Sequence, residues 1–179
     1  MKDALQHHVE PEVIEQYSQV FLIAPKLFQQ IRKSLGGKVK FDIALTEQVL
    51  AFALLGVFLL THKSAYKHDL MLHSLRGIDD LNSLNHHIRE SMEISIFASS
   101  SLMLSLWHID VNLVKQLNHL EKVSKLRVKS TEQDELVLFM LSFLYFIASR
   151  HSDFNELEQK AELLNINDFK EIKSFFINE

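Results

Sequence analysis

Histidine and carboxylate residues recur at helical spacing in the middle of the chain, where they could hold a metal ion. His86, Glu90 and Glu93 follow one another at intervals of four and three residues, which places them on one face of a helix. Carboxylates and a histidine on one face are the ligands that helical di-iron and di-manganese bundles use. Such sites also need matching ligands on other helices, and this stripe lies opposite an apolar face. We therefore expect the three side chains to face solvent, and we predict no cofactor.

A second candidate is the segment His73-Ser74-Leu75-Arg76-Gly77. It resembles the phospho-accepting segment of histidine phosphotransfer domains, in which a histidine is followed by a small residue, an aliphatic residue, a basic residue and glycine. The resemblance implies that His73 accepts a phosphoryl group and that Arg76, one helical turn further on, stabilises its charge. It covers five residues, and Ile78-Asp79-Asp80 follows where the family has small residues. Histidine phosphotransfer is therefore kept as an alternative function.

Phenylalanine is abundant, with 13 residues in a chain of 179. The first interpretation is core packing, because aromatic rings bury large apolar surfaces. A second is an inter-helix cavity for an apolar small molecule, and a third is a symmetric dimer interface on one of the long apolar helices. The aromatic residues that would line such a cavity are Phe52, Phe58, Trp107, Phe139, Phe143 and Phe146.

The composition excludes several classes of site. There is no cysteine, so the chain has no disulfide, no thiol nucleophile and no cysteine-ligated metal. The formal net charge of −4 argues against a nucleic-acid-binding protein, which usually carries a basic excess. Glycine-rich phosphate loops and Gly-x-Ser-x-Gly nucleophile motifs are absent from the sequence, so two common catalytic arrangements are also excluded.

Four basic residues lie close together at Lys122, Lys125, Arg127 and Lys129. Cations at the carboxyl end of a helix complement its dipole, and this is sufficient to explain them. No aromatic residues interleave with them as they do in a nucleic-acid platform. Binding to another kind of anionic partner remains open.

The elements that position these residues are predicted to be helices. Glycine and proline are rare, at 4 and 2 residues, whereas strands need frequent tight turns. Two runs, 49–60 and 136–148, are almost wholly apolar and belong at the centre of a bundle. The sequence predicts an all-α fold, a compact bundle of seven to eight helices around two apolar central helices, at about 43–62 and 131–150. We expect residues 1–179 to form a single helical domain.

Capping and breaking residues predict where the first helices begin and end. Pro25 should kink or break the first helix, because proline lacks a backbone N–H and clashes with the preceding turn. Gly36 and Gly37 should end that segment. Asp42 or Thr46, both good N-cap residues, should start the first central helix.

Further along the chain, one long helix is predicted over 79–107. The second central helix should start at a capping box, either Ser130 with Gln133 or Thr131 with Asp134, because each pair can satisfy two free N–H groups reciprocally.

The apolar runs are too short for a membrane span, which needs about 20 residues. The first residues are polar and have no apolar stretch typical of a secretory signal. We therefore expect a cytoplasmic protein without a membrane span.

No complete catalytic or cofactor motif is present. We therefore predict a non-enzymatic helical module for protein–protein interaction or regulation, which binds another protein or itself and is homo-oligomeric. One alternative is a carrier or sensor of an apolar small molecule in an inter-helix cavity, and another is histidine phosphotransfer through His73.

Overall fold

The computed structural model describes residues 11–56, 81–148 and 153–177, and within these ranges it contains eight helices and no strand. The all-α bundle expected from the sequence is thereby confirmed. In chain order the helices are α1 (Pro11–Ser34), α2 (Ile43–Phe52), α3 (Leu81–Met92), α4 (Ile96–Leu106), α5 (Val111–Ser124), α6 (Glu132–Ala148), α7 (Asn155–Leu163) and α8 (Phe169–Ile177).

Helix α6 occupies the centre of the bundle. It packs against α1, α2, α3, α5 and α7, and the side chains of Leu136, Phe139 and Phe143 are completely buried. A helix that is apolar on all sides must be enclosed by others. The second predicted central helix, at about 131–150, is therefore confirmed over Glu132–Ala148.

The start of α6 is fixed by a reciprocal capping box. The Asp134 carboxylate accepts from the backbone N–H of Thr131 at 2.9 Å, and the Thr131 hydroxyl accepts from the N–H of Asp134 at 3.2 Å. Of the two capping boxes that the sequence allowed, the structure contains Thr131 with Asp134.

Helix α1 continues through Pro25, so the break considered at that residue does not occur. The side chains of Ala24, Leu27 and Phe28 around it are completely buried, and α1 packs against α2, α6 and α8. This burial offsets the roughly 3 kcal/mol that an internal proline costs. The helix ends before Gly36 and Gly37, as predicted, and both glycines have positive φ.

The first predicted central helix, at about 43–62, is interrupted by a turn at residues 53–54, and residues 55–56 are helical again. It starts as expected at Asp42, whose carboxylate accepts from the N–H of Leu45 at 3.1 Å, but α2 ends at Phe52 and a turn follows. The Ser100 hydroxyl from α4 accepts from the N–H of Gly56 and donates to the carbonyl of Ala53. The hydroxyl therefore replaces the backbone groups that would bond to this N–H and this carbonyl in a continuous helix. Residues 57–62 lie outside the described ranges.

Small residues allow α4 to approach this break closely. A side-chain Cβ on Gly56 would stand 2.5 Å from the Ile96 carbonyl oxygen and 2.9 Å from the Ser100 hydroxyl. The buried Ser99 hydroxyl bonds back to the carbonyls of its own helix at 2.9 Å. Small hydroxyl side chains thus serve both for close helix approach and for bonding back to their own helix.

The long helix predicted over 79–107 is wrong, because the chain breaks between α3 and α4 at Glu93, which has a φ of 60°. Ser95 then caps α4 by accepting from the N–H of Ala98 at 3.1 Å. The Asn85 side-chain oxygen on α3 accepts from the N–H of Ile96 at 2.9 Å. The side chains of Asn85 and Ser95 thus satisfy free N–H groups at the start of α4. The backbone can therefore break at this buried position without leaving these donors unpaired.

Helix α5 has a capped start and one buried face. Asp110 caps it by accepting from the N–H of Asn112 at 2.8 Å, and Leu113, Leu117 and Leu120 are completely buried.

Acidic residues lie at the starts of α7 and α8. The N-cap position of α7 is Phe154 and makes no side-chain capping bond, although the preceding Asp153 accepts from the N–H of Asn155 at 2.9 Å. Helix α8 starts directly after Asp168, and the carboxylate of Asp168 accepts from the Ser34 hydroxyl on α1. This bond ties the last helix to the first.

Four helices end in a residue with left-handed backbone that is not glycine. These residues are Glu93, His108, Leu126 and Asn165, with φ between 54° and 60°. After three of them, the N–H of the following residue donates to a carbonyl of the preceding helix. Examples are the N–H of Ile109 to the carbonyl of Leu104 at 3.0 Å and the N–H of Ile166 to the carbonyl of Ala161 at 2.9 Å. This is the Schellman arrangement, in which glycine is the usual residue. A residue with a Cβ costs roughly 1–2 kcal/mol in that conformation.

Replacing His108 by glycine should therefore stabilise the fold. His108 is exposed, so little packing is lost, and we expect the free energy of unfolding to rise by about 0.5–1 kcal/mol, the left-handed strain less the entropy that glycine loses on folding. Urea denaturation followed by circular dichroism measures it. The matched control His108→Ala keeps the Cβ and should gain nothing; an equal gain in both variants would contradict the explanation.

Candidate functional site

The metal-ligand stripe lies on the solvent side of α3. His86 and Glu90 are both exposed, and the His86 Nε2 lies 3.2 Å from the Glu90 Oε1. Glu93 is also exposed and falls in the break after the helix. Among the described residues, no group of three or more histidine or carboxylate side chains is close enough to hold a metal ion.

The phosphotransfer candidates His73 and Arg76 and the aromatic candidate Phe58 lie outside the described residues. Their assignments remain predictions from the sequence.

The aromatic candidates on α6 pack against other aromatic rings. Phe139, Phe143 and Phe146 are buried. The Phe143 ring contacts Phe169 at a centroid distance of 5.3 Å in an edge-to-face arrangement, and Phe146 contacts Phe154 at 5.5 Å. Such contacts add stability beyond the burial of apolar area. These three residues thus connect α6 with α7 and α8.

The remaining aromatic candidates lie elsewhere. Phe52 is half-buried on α2 and meets Phe21 of α1 at 6.1 Å. Trp107 is the C-cap residue of α4 and is 37% exposed. Three surface clefts in the described part of the chain are lined by side chains other than Phe52, Trp107 and the α6 phenylalanines.

Trp107 belongs instead to an exposed apolar surface at the α4–α5 turn. We call this surface the apolar ridge; its members are Leu102 (49% exposed), Leu106 (68%), Trp107 (37%) and Val111 (60%). Leu102 and Leu106 are four residues apart and therefore share one face of α4, while the other face carries the buried Met103 and Leu104.

The ridge is uncharged over a long stretch of chain. No Lys, Arg, Asp or Glu occurs between Glu93 and Asp110. The Ser105 hydroxyl, beside Leu106, bonds back to the Ser101 carbonyl at 2.8 Å. Val111 lies beyond this stretch and follows the exposed Asp110. Exposed apolar patches with a polar rim are a typical feature of interaction sites.

A buried carboxylate at Glu121 joins three helices, and the sequence analysis did not single it out. Glu121 on α5 accepts a hydrogen bond from the Ser95 hydroxyl and forms an ion pair with Lys125. The Arg89 Nη2 of α3 lies 3.7 Å from its Oε1. Only 8% of Glu121 is exposed, so these partners stabilise a charge that would otherwise be costly to bury.

His119 and Asp134 form a second polar contact that the sequence analysis missed. The His119 Nε2 of α5 lies 3.0 Å from the Asp134 Oδ2 of α6. Burial raises the pKa of Asp134, but the hydrogen bonds from His119 and from the N–H and hydroxyl of Thr131 outweigh it, and the pKa lies below its ordinary value of 3.8. The sequence pointed to Asp134 only through the capping box. It gave no signal for its pairing with His119, because residues 15 positions apart on different helices share no periodicity.

Comparison with family models, curated proteins and solved structures found no match for this chain.

No helix in the described ranges is both long enough and apolar enough to cross a membrane.

The lowered pKa of Asp134 predicts a defined loss of stability in acid. Its ionised form contributes stability that is fully present above its unfolded pKa, near 3.8, and is lost as the pH falls through the lower folded value. Asp134→Asn keeps a capping oxygen but removes the charge. We therefore expect its free energy of unfolding to fall less steeply than that of the wild type below about pH 4.

Urea denaturation at a series of pH values measures this slope. Thr131→Ala removes one hydrogen bond to Asp134 and should give an intermediate slope. If Asp134→Asn loses stability in acid as steeply as the wild type, Asp134 does not have the predicted role.

Proposed function

We propose that this protein is a non-enzymatic helical interaction module of the cytoplasm that binds another copy of itself through the apolar ridge. The observation that carries the proposal is the exposure of Leu102, Leu106, Trp107 and Val111 within ten residues of chain.

The types of residue in the ridge support binding to protein. Tryptophan is enriched among the residues that dominate interface energetics, especially where neighbouring side chains exclude water around it. In the chain Trp107 directly follows Leu106, and α5 begins four residues later at Val111. Water is more readily displaced from these apolar side chains than from charged ones.

A second copy of the chain is the partner that the ridge fits best. In a two-fold dimer the same surface meets itself, so it must be complementary to itself. An apolar surface with few charges meets this requirement with little repulsion between like charges, and three of the four ridge residues lie in the stretch from Ile94 to Ile109, which has no Lys, Arg, Asp or Glu. The four residues would form the centre of the interface, and its rim would include exposed polar groups such as His108 and Asn112.

The proposal predicts that Leu106→Asp separates the dimer. The aspartate would carry a charge into the centre of the interface, and we expect the dissociation constant to rise by at least about tenfold. Sedimentation equilibrium over a range of protein concentrations measures it.

The matched control is Leu163→Asp, on α7. Leu163 is 82% exposed and lies outside the ridge, so this variant should keep the mass of the wild type. A wild-type protein that stays monomeric at every concentration, or a Leu106→Asp variant with unchanged association, would contradict the proposal.

A further inference from the structure

Basic side chains from three parts of the fold surround one cleft. Its volume is about 800 Å³, and its walls come from α3, the end of α5, the α5–α6 loop, α6 and α7. The charged residues at this cleft, which we call the basic cleft, are Arg89, Arg127, Lys129, Lys160 and a single carboxylate, Glu135. With His86 neutral, their formal charge is +3, whereas the whole chain carries −4.

Three of the four cations have no carboxylate partner. Within the part of the chain that the structure describes, the side chains of Arg127, Lys129 and Lys160 form no ion pair. No carboxylate among the described residues therefore neutralises these three positive charges at ion-pair distance. Cations that converge on a concave surface raise the local concentration of anions there.

The fourth cation, Arg89, is positioned by an ion pair with Glu121. Its guanidinium lies 3.7 Å from Glu121, which is shared with Lys125, so its charge is only partly offset. The Arg89 Nε is buried and has no hydrogen-bond partner among the described residues. The Nε atom itself is enclosed, but 31% of the Arg89 side chain is exposed, and a planar guanidinium is well suited to bind phosphate oxygens.

Asn85 adds a donor at the same end of the cleft. Its side-chain oxygen accepts from the N–H of Ile96, which fixes the amide and leaves its NH₂ group as the remaining donor of that side chain. Asn85 lines the cleft beside Arg89 and is itself buried. A hydrogen-bond donor and a guanidinium held by the fold form a more rigid recognition group than exposed lysines alone.

We propose that the basic cleft is a binding site for a phosphate dianion, either inorganic phosphate or the phosphate group of a small organic ester. The volume lies within the roughly 300–1,000 Å³ of small-molecule sites, and the excess positive charge favours a dianion over a monoanion. The exposed apolar side chains of Leu126 and Val128 line the same cleft and could contact the carbon part of an ester. This site is separate from the apolar ridge and does not depend on the proposed dimer.

The site is tested by calorimetric titration of the wild-type protein with sodium phosphate and, separately, with glycerol 3-phosphate, at a constant ionic strength set with sodium chloride. We expect saturable binding of both or of one. Tighter binding of the ester identifies an esterified phosphate as the ligand, and equal or tighter binding of the free anion identifies inorganic phosphate.

The cleft variant is Arg127→Gln with Lys129→Gln, which should weaken phosphate binding by at least about tenfold because two charge-assisted contacts are lost. The matched control, Lys122→Gln with Lys170→Gln, removes the same charge from exposed positions outside the cleft and should bind as the wild type does. Lys160→Gln, on α7, should also weaken binding and tests a separate element of the fold.

Three results would overturn the proposal. They are the absence of saturable phosphate and ester binding in the wild type, an equal loss of affinity in the control and cleft variants, and binding of a glutamate-rich peptide without binding of either phosphate probe. Circular dichroism of each variant, compared with the wild type, establishes that a loss of binding is not a loss of fold.

Discussion

The buried carboxylate of Glu121 is the constraint on which the arrangement of α3, α4 and α5 depends. A carboxylate that is 8% exposed is tolerated only where charge and hydrogen-bond donors surround it. Here the Ser95 hydroxyl at the start of α4 donates a hydrogen bond to the carboxylate, and the charges are those of Lys125, one turn further along α5, and of Arg89 on α3. The negative charge also lies beside the amino end of α4, where the helix dipole favours it.

This contact fixes the place where the chain breaks between α3 and α4, because the same Ser95 hydroxyl accepts from the N–H of Ala98. Once α4 starts there, its serines lie against the end of α2. The Ser100 hydroxyl bonds there to the carbonyl of Ala53 and to the N–H of Gly56, just after α2 ends. The opposite face of α4 is then left at the surface, where it forms the apolar ridge. The basic cleft depends on the same contact, because Glu121 orients Arg89.

Local pattern was sufficient to predict the elements whose structure is decided locally. The all-round apolar character of α6 predicted its central place, and its start was one of two capping boxes read from neighbouring residues. In each of these cases the deciding residues are within a few positions of one another, so their spacing carries the information.

The errors arose where a distant side chain decides the local structure. At the break near Glu93 the Asn85 side chain satisfies a backbone N–H of α4, and at the break after Phe52 the Ser100 hydroxyl satisfies a backbone N–H of another segment. The apolar periodicity of the broken segments gives no sign of either contact. The basic cleft was missed for the same reason: Lys129 was interpreted as a helix-end cation because Arg89 and Lys160 are far away in sequence. A pattern of apolar residues carries no signal for polar contacts across the bundle.

The most direct measurement of the role of Glu121 is a double-mutant cycle on the free energy of unfolding with Ser95→Ala, Glu121→Ala and the double variant. If the buried carboxylate is held by the Ser95 hydroxyl, the two substitutions are coupled by about 1–2 kcal/mol, as expected for a buried hydrogen bond to a charged group. Strictly additive effects would contradict that coupling, and with it the conclusion that Glu121 fixes the start of α4.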